Sequence, residues 1–207
     1  MSAMNVLIVG AGGVGAVTAH KAAQFRESFG KITLLSRTPA KLEAIQADVN
    51  RRWAKPGEGD LISVRAGNAR DKDEMVTVMR ELGTGIVLNV ATPYCNEALM
   101  DACLEAGAHY IDTAVAEDEH VENAPAPWYG NFEWPRRPAF AERKLSAVLG
   151  IGFDPGVVNV FCAYAKKHLL DEIRSIDIID VNGGDHGRYF ATNFDPDTNL
   201  REIREDV

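Results

Sequence analysis

Cysteine is scarce in this chain. There are three in 207 residues, Cys95, Cys103 and Cys162. The number is odd and the spacing fits no metal-ligand pattern, so neither a disulfide framework nor a metal site is expected. They read as reduced thiols of a cytoplasmic protein. Long apolar runs are missing too. No uninterrupted stretch reaches the roughly 20 residues that cross a bilayer. The opening MSAMNVLIVGAGGVG lacks a basic region and a cleavage site, and it passes directly into glycines. It reads as a folded strand and not as a signal peptide. Basic residues are outnumbered, 22 Lys and Arg against 30 Asp and Glu, for a formal net charge of −8. That balance argues against nucleic-acid and anionic-membrane partners, while leaving room for one local basic pocket. Internal repeats and low-complexity segments are also missing.

What is present is a steady alternation. Short apolar runs predict strands at Asn5–Val9, Lys31–Ser36, Leu61–Ala66, Gly85–Ala91, His109–Ala114 and Leu145–Gly152. Helical spacing predicts helices at Val14–Phe29, from Pro39 with Thr38 as cap, at Asp71–Leu82, at Asn96–Ala106 and at Val157–Leu169. Alternation at this spacing implies an α/β fold, a doubly wound parallel sheet with helices on both faces. The stretch 117–138 breaks the rhythm with four prolines and the aromatics Trp128, Tyr129, Phe132 and Trp134. It is expected to be a functional loop inserted before the last strand. Ile173–Val181 alternates into a further strand. The sequence therefore divides at residue 155. Residues 1–155 form a dinucleotide-binding domain. Residues 156–207 begin an α+β catalytic or dimerisation domain that looks truncated.

Gly10-Ala11-Gly12-Gly13-Val14-Gly15 fits G-x-G-x-x-G between a strand and a helix, the context that gives the pattern meaning. This is the Rossmann-type arrangement. Gly10 permits the turn, Gly12 admits a pyrophosphate, and Gly15 lets helix and strand approach. Gly13 and Val14 open a helix whose start favours anions. About twenty residues on, the second strand ends in Ser36, Arg37 and Thr38, where an acid would bind the ribose of NAD. A guanidinium and two hydroxyls suit a 2′-phosphate instead, so the expected cofactor is NADP(H), with Arg37 as discriminator. The fourth strand ends in Asn89, followed by Ala91, Thr92, Pro93 and Tyr94. These either line the cofactor or, for Asn89, cap a turn.

Three stretches carry a resemblance: LNVATPYCNEALMDACLEAGAHYIDTA, LGIGFDPGVVNVFCAYA and VNGGDHGRYFATNFDPDTNLREI. With WYGNFEW before the sixth strand, they make the chain similar to the saccharopine dehydrogenase-like reductases, in the carboxynorspermidine dehydrogenase branch. The resemblance covers essentially the whole chain, while family members run to about twice its length. It implies an NADPH-dependent reductive condensation of aspartate β-semialdehyde with a diamine, 1,3-diaminopropane or putrescine, in polyamine biosynthesis. It further implies a homodimer in the full-length protein.

Such chemistry needs an acid for the departing hydroxyl, a base for the amine, and a cation for the carboxylate. Asp154 stands just past the sixth strand, as proton relay or helix cap. Tyr94 either lines the nicotinamide pocket or packs. His186 is a candidate acid/base and Arg188 a carboxylate binder, or both belong to a polar turn. Trp128 and Trp134 are candidates for a lid. Two other readings stay open. One is a saccharopine-forming or saccharopine-cleaving reductase, and the other a dinucleotide-binding module without turnover.

Overall fold

The computed structural model describes residues 3–121, 123–179, 181, 187 and 196–204. The elements run β1 (Asn5–Val9), α1 (Gly13–Gln24), β2 (Ile32–Ser36), α2 (Pro39–Trp53), β3 (Ser63–Ala66), α3 (Lys72–Leu82), β4 (Thr84–Asn89), α4 (Asn96–Ala106) and β5 (His109–Asp112). Then come α5 (Trp128–Asn131), α6 (Arg137–Glu142), β6 (Ala147–Val148), α7 (Val157–His168) and α8 (Pro196–Arg204). The six strands form one parallel sheet in the order β3-β2-β1-β4-β5-β6. Strand order reverses between β1 and β4, the place where such sheets open a ligand crevice at their carboxyl ends.

Successive strand residues point to opposite faces, so β1 and β2 feed two cores. Leu7, Val9, Leu35 and Val87 pack with Met75 and Met79 of α3 and with Leu99 and Met100 of α4. Val6, Ile8, Ile32 and Leu34 pack with Ala19 and Ala23 of α1 and with Leu42 and Val49 of α2. Burial on both faces explains why these strands are nearly all apolar. The local signals work as chemistry dictates. Pro39 opens α2 directly after Thr38. Asp71 caps α3 by accepting the Glu74 N–H at 3.0 Å.

Four expectations are corrected. Helix α1 stops at Gln24, and Arg26–Ser28 make a short 3-10 turn. Strand β6 is two residues long, not eight. Gly150 has φ +61°, its N–H goes to the Asp112 carboxyl and not to a backbone carbonyl, and the Ile151 N–H takes the Asp112 carbonyl, so the regular ladder is broken at Gly150. The segment 117–138 is not only loop, because it holds α5 and a 3-10 turn at Trp134–Arg136 and runs into α6. Residues 173–179 form no strand. A lone extended segment leaves its backbone groups to water, and Ile176, Ile178 and Ile179 are exposed there.

Candidate functional site

The glycine turn sits at the carboxyl end of β1. The Gly10 N–H donates to the Leu35 carbonyl at 2.9 Å, which fixes the turn against β2. A Cβ on Gly15 would lie 2.0 Å from the Gly10 oxygen, so only glycine permits this approach of helix and strand. By contrast, a Cβ on Gly12 or Gly13 would meet nothing within 4 Å. Those two residues present bare backbone to open space at the head of α1. Val14 is exposed beside them, and the first turn of the helix carries no acid. Helix starts leave N–H groups without intrahelical acceptors and carry partial positive charge. The cradle therefore fits a pyrophosphate in shape and in sign.

Beside it lies a cleft of about 480 Å³ lined by Arg37, Arg70, Thr92, Tyr94, Glu119, His120 and Arg201. Arg37 is exposed and faces this space from the end of β2. Ser36 accepts the Thr38 N–H at 3.4 Å, while the Thr38 hydroxyl makes no capping bond to α2. Arg70 grips Glu119 with both terminal nitrogens, at 3.1 and 3.0 Å. The pair holds the Glu119 carboxyl below its ordinary pKa. Tyr94 has two cations over its ring: Arg70 is 5.3 Å and Arg201 5.9 Å from its centre. Its hydroxyl meets that of Thr198 at 3.4 Å. Tyr94 thus shares a cleft with Arg37.

Asn89 works below this surface. Its amide donates to Asn96 at 2.8 Å and to the Tyr110 hydroxyl at 3.1 Å, and its carbonyl accepts the Ala91 N–H at 3.1 Å. It is 2% exposed. Its side chain pins the turn Ala91–Pro93. Pro93 is likewise buried, while Ala91 and Thr92 are partly exposed. Cys95 is buried beside Asn89, and burial pushes its thiol up to about 11, so it stays protonated.

A second group of polar residues sits where β5 and β6 end. Asp112 accepts the Gly150 N–H at 2.6 Å and the Asn96 amide at 3.4 Å. Burial pushes its carboxyl up to about 7, against the pull of the Gly150 N–H and the Tyr110 hydroxyl, and nearby Glu133 adds to the rise. Glu133 is 1% exposed. One of its oxygens accepts the Ala116 N–H at 2.5 Å; the other is buried without a hydrogen-bond partner among the described residues. Burial raises its pKa as well. Above them Tyr129 and Trp134 stack at 6.3 Å between centroids and line a mainly apolar cavity of about 450 Å³ with Leu149, Gly150, Ile151, Pro155, Gly156 and Asn159. Trp128 does not line it, because its indole N–H bonds the Ala124 carbonyl. Asp154 is exposed on the turn before α7. It does not cap that helix; Gly156 does, with its N–H bonded to the Asn159 side chain at 2.8 Å.

The structure thus gathers the glycine turn, Arg37 and the residues after β4 on one sheet edge. His186 and Arg188 lie outside the described residues. Sequence reasoning missed Arg70, Glu119 and Arg201, which are brought together from two distant loops and from α8. It also missed Asp112 and Glu133. Glu133 had a signal, an acid amid the aromatics of WYGNFEW. Among the described residues no group of His, Cys, Asp and Glu could hold a metal, and no helix is long and apolar enough to cross a membrane.

The chain is similar to proteins of known name. It is 46% identical over 203 residues to a carboxynorspermidine synthase of Vibrio alginolyticus, covering 98% of this chain and 49% of that protein. It is 45% identical over 201 residues to a carboxyaminopropylagmatine dehydrogenase of a Synechocystis species, covering 97% and 47%. The chain therefore spans about half the length of the curated relatives it matches. Among solved structures, an apo saccharopine dehydrogenase (L-Glu forming) of Saccharomyces cerevisiae superposes with a TM-score of 0.59 at 13% identity, over 80% of this chain and 31% of that one. That likeness concerns the fold. Residues 6–148 match the model of the saccharopine dehydrogenase NADP binding domain, and the chain belongs to that family.

Proposed function

We propose that this chain is the cofactor-binding part of an NADPH-dependent reductase that joins aspartate β-semialdehyde to a diamine, 1,3-diaminopropane or putrescine, and reduces the resulting imine. What carries the reading is 43–46% identity across nearly the whole chain to two carboxynorspermidine synthases. Agmatine is a third candidate amine, because a relative of nearly equal identity is named for a carboxyaminopropylagmatine. The saccharopine reaction is not favoured by these relatives.

NADPH supplies the hydride, and the protein orients it. The bare backbone of Gly12 and Gly13 receives the pyrophosphate. Ser36, Arg37 and Thr38 hold the phosphorylated ribose, Arg37 by fork-like donation. Ala91, Thr92 and Pro93 form the wall after β4, and buried Asn89 fixes their course. Asp154, exposed on the turn before α7, takes a proton from the amine or orients it. His186 as acid/base and Arg188 as carboxylate binder complete the assignment. The domain boundary falls at residues 155/156. The full-length protein works as a cytoplasmic homodimer.

The test is NADPH oxidation by the full-length protein with aspartate β-semialdehyde and each of 1,3-diaminopropane, putrescine and agmatine. Glutamate with aminoadipate semialdehyde runs in parallel. Turnover with one of the three amines is expected, and turnover with glutamate alone would overturn the reading.

A further inference from the structure

Net charge is −8, yet three guanidinium groups face one cleft. They are not equivalent. Arg201 has structural work: it donates to the carbonyls of Asp118 at 3.0 Å and Val121 at 2.6 Å, and its charge lies 3.6 Å from Glu117. Arg37 projects from β2, where the adenosine ribose is assigned. Arg70 stands on the loop between β3 and α3, with its fork closed on Glu119, 49 residues away. Both partners of that pair are nearly half exposed, 43% and 44%. A pair so wet holds little free energy. The fork that grips two carboxylate oxygens grips two phosphate oxygens with the same spacing, and a phosphate monoester brings nearly twice the charge at neutral pH.

The neighbouring geometry keeps Arg70 in the cleft. Its guanidinium lies over the Tyr94 ring, which Arg201 also approaches. Loop residues 117–121 are thus held from two sides, at Glu119 by Arg70 and at the Asp118 and Val121 carbonyls by Arg201. Only the first hold can be traded for an anion. The second is made chiefly to backbone carbonyls, with Glu117 beside it, and persists.

We propose that Arg70 is a second guanidinium for the 2′-phosphate of NADP(H), and that Glu119 is a built-in competitor for it. Cofactor binding then takes Arg70 from Glu119 and loosens residues 117–121. The proposal rests on the assignment of the phosphorylated ribose to the end of β2. NADH, which lacks the phosphate, leaves the pair closed. The exchange makes the cofactor's phosphate a signal to the segment that leads into the aromatic wall of the second cavity.

The experiment titrates full-length wild type, Arg70→Ala, Arg70→Lys, Glu119→Gln and Arg37→Ala with NADPH and NADH, and follows hydrogen exchange of residues 117–121. Arg70→Ala should weaken NADPH roughly tenfold or more and NADH less than about twofold, the size of a lost charge-assisted contact. Arg70→Lys should recover only part of this, since a point charge lacks the fork. Glu119→Gln should tighten NADPH alone. NADPH, but not NADH, should speed exchange at 117–121 in the wild type. A purely structural pair would give the opposite: losses for both cofactors in both variants, and no gain from Glu119→Gln. That result overturns the proposal. If Arg37→Ala changes the cofactor preference and Arg70→Ala does not, the ribose assignment stands and Arg70 alone fails. If neither changes it, the ribose assignment itself is wrong.

Discussion

Asp112 fixes Gly150. The carboxylate at the end of β5 accepts the Gly150 N–H at 2.6 Å, and its own carbonyl accepts the next N–H, from Ile151, at 3.0 Å. Two bonds to one residue break the regular ladder at Gly150, just before the segment that carries Asp154. Removing the side chain in Asp112→Ala leaves a buried N–H unpaired, which should lower stability by about 1–3 kcal/mol in urea titration.

The same carboxyl makes stability depend on pH. Burial raises its folded pKa to about 7, with Glu133 as a second raised carboxyl beside it and Tyr110 and Tyr129 as the phenols nearby. Below about pH 4 both folded and unfolded forms hold the Asp112 proton, and the group contributes no dependence. Between about 4 and 7 the unfolded chain gives it up while the folded chain keeps it, so stability falls as pH rises. Above 7 the penalty is constant. In Asp112→Asn this part of the slope should vanish, and an unchanged slope between pH 4 and 7 would show that another group carries it.

The glycine turn separates packing from binding. Gly15→Ala drives a Cβ to 2.0 Å from the Gly10 oxygen, which should cost about 1–3 kcal/mol of stability or more. Gly12→Ala meets nothing in the protein, so stability should move by less than about 1 kcal/mol. Its methyl occupies the space assigned to the pyrophosphate. NADPH affinity should then drop at least about tenfold, or about 1.4 kcal/mol. Unaltered affinity in Gly12→Ala would mean the cofactor does not cross that backbone.

The alternation of strand and helix, the glycine turn and the Pro39 and Asp71 helix starts were legible because each is written in adjacent residues. Strand β6 was over-extended because its end is set by Asp112, 38 residues upstream of Gly150, and apolar residues at 149–152 give no hint of that bond. Asn89 was ambiguous for a related reason. Its partners Asn96 and Tyr110 arrive through α4 and β5, and only the fold shows its amide turned inward. The arginine cleft was half legible. Arg37 follows a strand at a telling distance from the glycines, whereas Arg70 and Glu119 meet across loops whose pairing no local pattern encodes.

Arg136 anchors the segment between β5 and β6. Its guanidinium takes both oxygens of Asp101 at 2.7 and 2.8 Å, Glu97 at 3.0 Å and the Phe132 carbonyl at 2.6 Å. The side chain is only 18% exposed, so these bonds are less screened than a surface pair. Arg136→Ala should lower stability by about 2–3 kcal/mol, with an unchanged denaturant slope if unfolding stays two-state. Arg136→Lys should recover less than half, because an ammonium cannot span both Asp101 oxygens and reach Phe132.

Arg37 is the proposed discriminator between NADPH and NADH. The guanidinium opens on the cleft from the end of β2, and the chain carries no acid from Lys31 to Leu42. Arg37→Asp replaces an attraction for the 2′-phosphate by a repulsion and restores the acid that pairs with ribose hydroxyls. NADPH should weaken by at least about a hundredfold, the loss of one charge-assisted fork plus a like-charge contact. NADH should hold or tighten. The NADPH loss should shrink as salt rises, since the Debye length falls from about 10 Å at 0.1 M to about 3 Å at 1 M. Fluorescence titration of both cofactors at two salt concentrations measures each of these. A preference that does not move in Arg37→Asp at low salt would remove Arg37 from the phosphate site.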